Sequence, residues 1–135
     1  MSLESARLPE TTRLATLGLV ADCLRVLGVL PLIELRRRRT SLHAVAAVAR
    51  GLGEARGARQ PARRAGLKRV IGAIDRRLPD GGNCVRRALL EMALDRTAAR
   101  ERLFAGFRSG GGLKSGHAWL ESDVDRSVYD AVITI

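Results

Sequence analysis

The spacing of apolar residues changes near residue 100, and this change limits the folds open to the chain. Before it, apolar residues recur every three or four positions, which is typical of helices that bury one side. After it come short runs of aliphatic and aromatic residues separated by glycine and aspartate, which is typical of strands. Helices followed by a separate antiparallel sheet predict an α+β fold, and 135 residues are enough for one compact domain.

Helices are predicted over most of the first two thirds of the chain. They cover residues 12–30, a segment capped by Thr40 or Ser41, residues 62–77, and residues 84 to about 95. Residues 51–61 are glycine-rich and predict a loop or a weak helix end. Pro31 is expected to end or kink the first helix, because proline lacks a backbone donor. The spacing predicts the inward face of that helix to be Leu14, Leu17, Val20, Ala21, Leu24 and Leu27.

The remaining segments predict a small sheet and a simple domain organisation. Strands are expected at residues 102–108, 115–122 and 127–135, with a flexible loop at 109–112 and a tight turn at 123–126. Because that turn is short, the last two strands are expected to lie side by side. We therefore expect a flexible arm over residues 1–11, a helical region over 12–79 and a C-terminal core over 80–135, all in one compact domain.

The chain has a formal net charge of +10, almost all of it from arginine. A basic surface favours acidic partners, but arginine runs also occur on faces that only contact solvent. No aromatic residue lies among the arginine runs, so no platform for stacking bases is predicted and nucleic-acid binding is not expected. The aromatic residues all lie in the last third of the chain: Phe104, Phe107, Trp119 and Tyr129.

The longest apolar stretch, residues 14–35, contains two acidic residues, an arginine and a proline, which argues against a membrane span. The chain does not open with a secretory signal pattern. Its cysteines, Cys23 and Cys84, are far apart and do not resemble a disulfide framework. A cytoplasmic, reducing location is therefore expected.

Cys84 is the candidate nucleophile. It follows two glycines and an asparagine at the start of a predicted helix, where helix amides and nearby cations favour a thiolate. A structural cysteine can occupy the same position, and Arg86 and Arg87 in the first turn can bind either structural carboxylates or substrate. Cys23 lies inside an apolar repeat and is interpreted as part of the core.

His117 and Asp130 are the candidate partners of Cys84. His117 opens a predicted strand after a loop of small residues, whereas His43 lies on a helix of alanine and valine and is interpreted as structural. Asp130 interrupts an otherwise apolar strand, where a carboxylate needs a partner. Asp123 and Asp125 resemble turn formers and remain alternatives. A thiol, an imidazole and a carboxylate together predict a cysteine hydrolase.

Metal and phosphate sites are not predicted. The cysteines and histidines lack the spacing of metal ligands. The glycine run at residues 110–112 lacks the lysine–serine ending of a phosphate-binding loop in the required register. No metal or organic cofactor is therefore expected.

Several short motifs in the second half of the chain occur in a characteristic order. They are Cys84-x-x-Arg87-x-Leu89, Leu103-Phe-Ala-Gly106-Phe-Arg108, Gly116-His117-Ala118-Trp119-Leu120-Glu121, and Asp130. In this order they resemble the transglutaminase-like leader peptidases of lasso peptide biosynthesis, which cut the leader from a precursor peptide. The resemblance covers most of the chain after about Leu14, and its specific part runs from Cys84 to Asp130.

The resemblance implies a papain/transglutaminase-like core on which the helical N-terminal region packs. It implies that Cys84 is the nucleophile, that His117 is the general base and acid, and that Asp130 orients His117, with a thioester intermediate and no cofactor. The N-terminal part shows no strand-rich module, so the chain resembles the stand-alone form, which works with a separate leader-recognition protein. The implied partners are the precursor peptide, that recognition protein and an ATP-dependent lactam synthetase.

Two other functions remain open at this stage. A transglutaminase-like acyltransferase would pass the thioester to an amine instead of water. A non-enzymatic nucleic-acid-binding or adaptor protein would use the arginine-rich helices and would not need Cys84.

Overall fold

The computed structural model describes residues 9–110, 113–123 and 128–135. Helices precede a three-stranded antiparallel sheet, which confirms the predicted α+β class. The elements in chain order are α1 (Glu10–Arg39), α2 (Leu42–Glu54), α3 (Pro61–Asp75), α4 (Cys84–Leu94), α5 (Arg96–Ala99), β1 (Leu103–Gly110), β2 (Leu113–Leu120) and β3 (Ala131–Thr134). The sequence pattern did not predict α5, a single turn capped by the side chain of Asp95.

The first helix, α1, is longer than predicted and passes through Pro31 without ending. It begins at Glu10, so residues 10 and 11 of the predicted arm are helical, and residues 1–8 lie outside the described residues. The predicted end at Pro31 was wrong, since Leu30 and Ile33, on either side of the proline, are both helical and buried in the core. Pro31 itself is exposed, so packing on the opposite side holds the helix together.

The buried face of α1 also differs from the predicted one. Its buried apolar residues are Val26, Val29, Leu30 and Ile33. Four leucines of the predicted inward face stay more than half exposed: Leu14 at 69%, Leu17 at 66%, Leu24 at 66% and Leu27 at 52%. Apolar residues lie on both sides of α1, so their spacing could not decide which side packs.

By length and composition alone, α1 could cross a membrane, and its most apolar window has a mean hydropathy of 1.8. Within that window 28% of the residues are buried inside the protein. Asp22, also buried in α1, forms an ion pair with Arg59 at 2.8 Å. Core helices and signal sequences share the same length and composition, so the cytoplasmic location stays a prediction.

The second helix, α2, ends at Glu54, inside residues 51–61, where a loop or a weak helix end was predicted. Ser41 caps its start by accepting a hydrogen bond from Ala44 N at 3.2 Å. Near its end, Gly53 packs directly on α4, since a Cβ there would come within 1.9 Å of the Met92 carbonyl oxygen. Only glycine allows this close approach of the two helices.

The strand order is β2-β1-β3, so β1 lies between the last two strands. Gly106 of β1 pairs with His117 of β2 on one side and with Val132 of β3 on the other. The expectation that the last two strands lie side by side was therefore wrong. Tertiary contacts explain the difference, because Ile135 exchanges two backbone hydrogen bonds with Leu103 of β1. Residues 111–112 of the predicted loop and 124–126 of the predicted turn lie outside the described residues.

The fourth helix, α4, is the centre of the core. All of its residues from Ala88 to Leu94 are buried. It contacts α1, α2, α3 and α5 among the helices and β2 in the sheet. Because Cys84 is the first residue of α4, this packing places the thiol where the helical region meets the sheet.

Candidate active site

The turn before α4 presents Cys84. Asn83 caps α4 by accepting a hydrogen bond from Arg86 N at 2.9 Å. Gly82 has a φ of +79°, a left-handed conformation that favours glycine. The amides of Gly82 and Asn83 both donate to Asp75 Oδ2, at 2.9 and 3.1 Å. The thiol is thereby held at the N-terminus of α4.

Arg86 and Arg87 were both expected to bind either structural carboxylates or substrate, and their surroundings differ. The side chain of Arg86 is 1% exposed and donates to Asp75 Oδ1 and Asp80 Oδ1, both at 2.8 Å. Arg86 is therefore a structural cation. Arg87 is 43% exposed, lies 3.6 Å from Asp75 and lines a cavity beside Cys84.

Cys84 and His117 line the same cavity, which has a volume of about 490 Å³. The amide of Ala118, the residue after His117, donates a hydrogen bond to Cys84 Sγ at 3.3 Å. The sulfur therefore lies against the strand that carries the imidazole, although 33 residues separate the two in the chain. The structure brings these two predicted residues together.

Aromatic rings form a wall beside His117. The imidazole stacks on Trp119 at 5.8 Å, and Trp119 stacks in turn on Tyr129 at 5.1 Å and on Phe104 at 5.7 Å. Tyr129 also covers Gly106, where a Cβ would come within 2.6 Å of the ring. Sequence analysis did not predict this wall, and its signal is a glycine inside a strand whose neighbours are aromatic.

Asp130 does not line the cavity that Cys84 and His117 share. Its carboxylate accepts hydrogen bonds from Ser109 N at 2.6 Å and Ser109 Oγ at 3.0 Å, and these bonds lower the pKa of Asp130. Its position follows from the strand order, because β1 lies between Asp130 and His117. Asp123 does line the cavity, and Asp125 lies outside the described residues. The role of Asp130 as orienter stays a prediction.

A sequence profile described as the transglutaminase-like superfamily matches residues 29–132, which include Cys84 and His117. The chain belongs to the transglutaminase-like superfamily. Its members are generally enzymes of the cysteine protease or acyltransferase type. No curated protein and no solved structure matches the chain significantly.

The cavity that Cys84 and His117 share is also lined by charged side chains that sequence analysis did not predict to lie there. Glu91 lies seven residues after Cys84, two turns along the same face of α4. It is 5% exposed, and burial raises the pKa of Glu91 even though Arg64 donates to its carboxylate at 2.7 Å. Lys68 lies 3.5 Å from Glu91 and also donates to Asp123. The visible signal for this network was an acidic residue at an inward position of a buried helix.

The described residues contain no group of three or more histidine, cysteine or carboxylate side chains that could hold a metal ion. The groups that the cavity does offer are a thiol at a helix N-terminus, an imidazole on the adjacent strand and an internally paired set of charges. A thiol and an imidazole in this arrangement can carry out acyl transfer through a thioester.

Proposed function

We propose that this protein is a cysteine peptidase that removes the leader from a lasso-peptide precursor. The single observation that carries the proposal is the 3.3 Å contact between Cys84 Sγ and the amide beside His117, within one cavity. Membership of the transglutaminase-like superfamily supports thiol-dependent acyl chemistry. The motifs from Cys84 to Asp130 support the choice of a leader peptide as substrate.

In the proposed reaction, Cys84 Sγ attacks the carbonyl carbon that joins leader to core. His117 accepts the thiol proton and returns it to the leaving amine, which gives a leader thioester and a free core peptide. Water, deprotonated by His117, then hydrolyses the thioester to a leader carboxylate and restores the thiol. The N–H of Cys84, at the start of α4, would donate to the oxyanion, and such a donor contributes about 3 kcal/mol.

A separate leader-recognition protein would deliver the precursor to this cavity in the cytoplasm. An ATP-dependent lactam synthetase would then act on the released core, whose new N-terminal amine is the group that a lactam requires. The mechanism proposed for Cys84 and His117 needs no metal or organic cofactor.

Incubation of precursor, recognition protein and this chain, followed by mass spectrometry, tests the proposal. We expect two fragments whose summed mass exceeds that of the precursor by one water. Cys84→Ala should give none, whereas Cys23→Ala, which changes the other cysteine, should cleave as the wild type does. An intact precursor with the wild-type protein, while the recognition protein demonstrably binds it, would refute the proposed function.

The same assay separates hydrolysis from acyl transfer. Both reactions share the thioester on Cys84 and differ only in the group that accepts the acyl chain. With a primary amine in excess, a transglutaminase-like acyltransferase would give a leader that carries a new amide. We expect the free carboxylate to remain the main product, and a predominant amide would favour the alternative.

Three aspartates are candidates for orienting His117, and substitution by asparagine distinguishes them. Loss of the orienting carboxylate leaves the imidazole in the wrong tautomer, which lowers kcat by about 10⁴-fold in a Ser-His-Asp enzyme. We expect this loss in only one of Asp123→Asn, Asp125→Asn and Asp130→Asn, measured as kcat on the precursor. A loss of activity in Asp130→Asn would support Asp130 as the residue that orients His117, as the resemblance implies. A loss in Asp123→Asn or Asp125→Asn would assign that role to the substituted aspartate instead. Three active variants would contradict a triad.

A further inference from the structure

Arginine side chains surround a second cavity of about 440 Å³, at the loop before α3. They are Arg25, Arg56, Arg59 and Arg63. Asp22 forms ion pairs with Arg59 at 2.8 Å and with Arg25 at 3.1 Å. Within the described part of the chain, Arg56 and Arg63 have no ion pair. The cavity therefore has more positive charge than its own carboxylates neutralise.

Another carboxylate lies beneath this cavity but does not balance it. Asp95 is fully buried and accepts a hydrogen bond from the backbone amide of Arg59 at 3.1 Å. Its second oxygen lies 3.5 Å from Arg64, which also pairs with Glu91. Because Asp95 faces the protein interior, it leaves Arg56 and Arg63 available to a ligand.

The start of α3 adds to the attraction for anions. The cap residue, Gln60, makes no side-chain cap hydrogen bond, and Pro61 at the first helical position has no N–H. Gln60 and Arg63 both line the arginine cavity, so the positive end of this 15-residue helix faces it. The helix end reinforces the guanidinium groups, whose geometry suits carboxylates.

A groove of about 380 Å³ adjoins the arginine cavity between α1 and α3, and Arg63 lines both. Arg69 and Asp22 also line the groove, but Asp22 is buried and its charge is paired with Arg59. Leu14 and Leu19 line this groove and are 69% and 54% exposed. Gly66 on α3 leaves it open, since a Cβ there would meet no atom within 4 Å. We call this combined region, which includes Leu14, Leu19, Arg56 and Arg63, the α1–α3 surface. A ligand that fits it needs both apolar and negatively charged groups.

We propose that the α1–α3 surface binds an acidic peptide segment. Its apolar side chains would occupy the groove beside Leu14 and Leu19, and its carboxylates would bind Arg56 and Arg63. A nucleic acid fits this surface less well, because residues 9–103 contain no phenylalanine, tyrosine or tryptophan on which bases could stack. Leucine side chains also have no favourable contact to offer a phosphate backbone.

This binding site is separate from the thiol. Cys84 begins α4, and Leu94 at the other end of α4 lines the arginine cavity. Leu94 follows Cys84 by ten positions, which corresponds to about 15 Å along the helix. A peptide on the α1–α3 surface would therefore leave the cavity of Cys84 and His117 open, and its binding does not depend on the proposed peptidase reaction.

Fluorescence anisotropy with a short labelled peptide of leucine and glutamate tests the proposal at about 0.15 M ionic strength. Arg56→Gln/Arg63→Gln should weaken binding by about 100-fold, because each lost charge-assisted hydrogen bond accounts for about tenfold. The matched control, Arg36→Gln/Arg39→Gln, removes the same charge at the end of α1. It should change the dissociation constant less than about twofold, since exposed and distant charges are screened.

Two further samples complete the experiment. Cys84→Ala should bind the peptide as tightly as the wild type. The binding site can therefore be tested whether or not the protein is a peptidase. A peptide with glutamine in place of glutamate should bind at least about tenfold more weakly. The proposal is overturned if the wild type does not bind the acidic peptide, if both double variants weaken it equally, or if duplex DNA binds more tightly than the peptide does.

Discussion

Replacement of His117 by glutamine is expected to lower kcat for leader cleavage by about 10⁶-fold, and Cys84→Ala should lower it by a similar factor. Combining the two changes should lower it no further, because thiol and imidazole act as a unit and neither works without the other. Single-turnover kinetics on the precursor, with the recognition protein present, would measure all three variants. Their shared cavity and the contact between Cys84 and Ala118 N are the structural basis for this expectation.

The chain contains a matched control for each change. His43 is exposed on α2, away from the cavity, and His43→Gln should leave kcat unchanged. Cys23 packs against the core on α1, and Cys23→Ala should also keep cleavage. If His117→Gln retained more than about a tenth of wild-type activity, His117 would not be the general base.

Replacement of Arg86 by leucine is expected to lower the free energy of unfolding by about 3 to 5 kcal/mol, because a buried carboxylate then loses its cation. Asp75, whose side chain is fully buried, receives its main ion pair from Arg86 at 2.8 Å. Asp75 also accepts the amides of Gly82 and Asn83, so its ion pair supports the turn that presents Cys84. Urea unfolding, followed by circular dichroism, measures the change.

The neighbouring arginine provides the contrast. Arg87 is 43% exposed and lies 3.6 Å from Asp75, so Arg87→Gln should lower the free energy of unfolding by no more than about 1 kcal/mol. Adding Asp75→Asn to Arg86→Leu should restore part of the lost stability, since asparagine removes the uncompensated charge and keeps an acceptor for the two amides. Equal losses for Arg86→Leu and Arg87→Gln would show that the buried ion pair is not what stabilises this turn.

Several features of the candidate site could be predicted because the signals are local. Asn83 caps α4, and the structure starts this helix at Cys84 as predicted. Asn83 needs only its own helix to make its hydrogen bond, three residues away at Arg86 N. The position of the thiol at a helix N-terminus is therefore a property of a few consecutive residues.

The buried side of α1 could not be predicted in the same way. Leu17 and Leu24 fit a helical apolar stripe as well as Val26 and Ile33 do, yet only the latter pair is buried. The choice depends on which side meets α3 and α4, and those contacts come from residues far along the chain. When a helix is apolar on both sides, its own sequence does not show which side is buried.

The sequence by itself determined the α+β class and the start of α4, because each depends on short-range spacing. The contact of Cys84 with the strand of His117 joins residues more than 30 positions apart, so it depends on the tertiary structure. Tertiary structure alone decided the strand order, in which hydrogen bonds between Ile135 and Leu103 place β3 beside β1 and away from His117. It also decided the ion pairs of Arg86 and Glu91. A short turn would allow β3 to pair with β2. In the structure, backbone hydrogen bonds to β1 place β3 at the other edge of that strand instead.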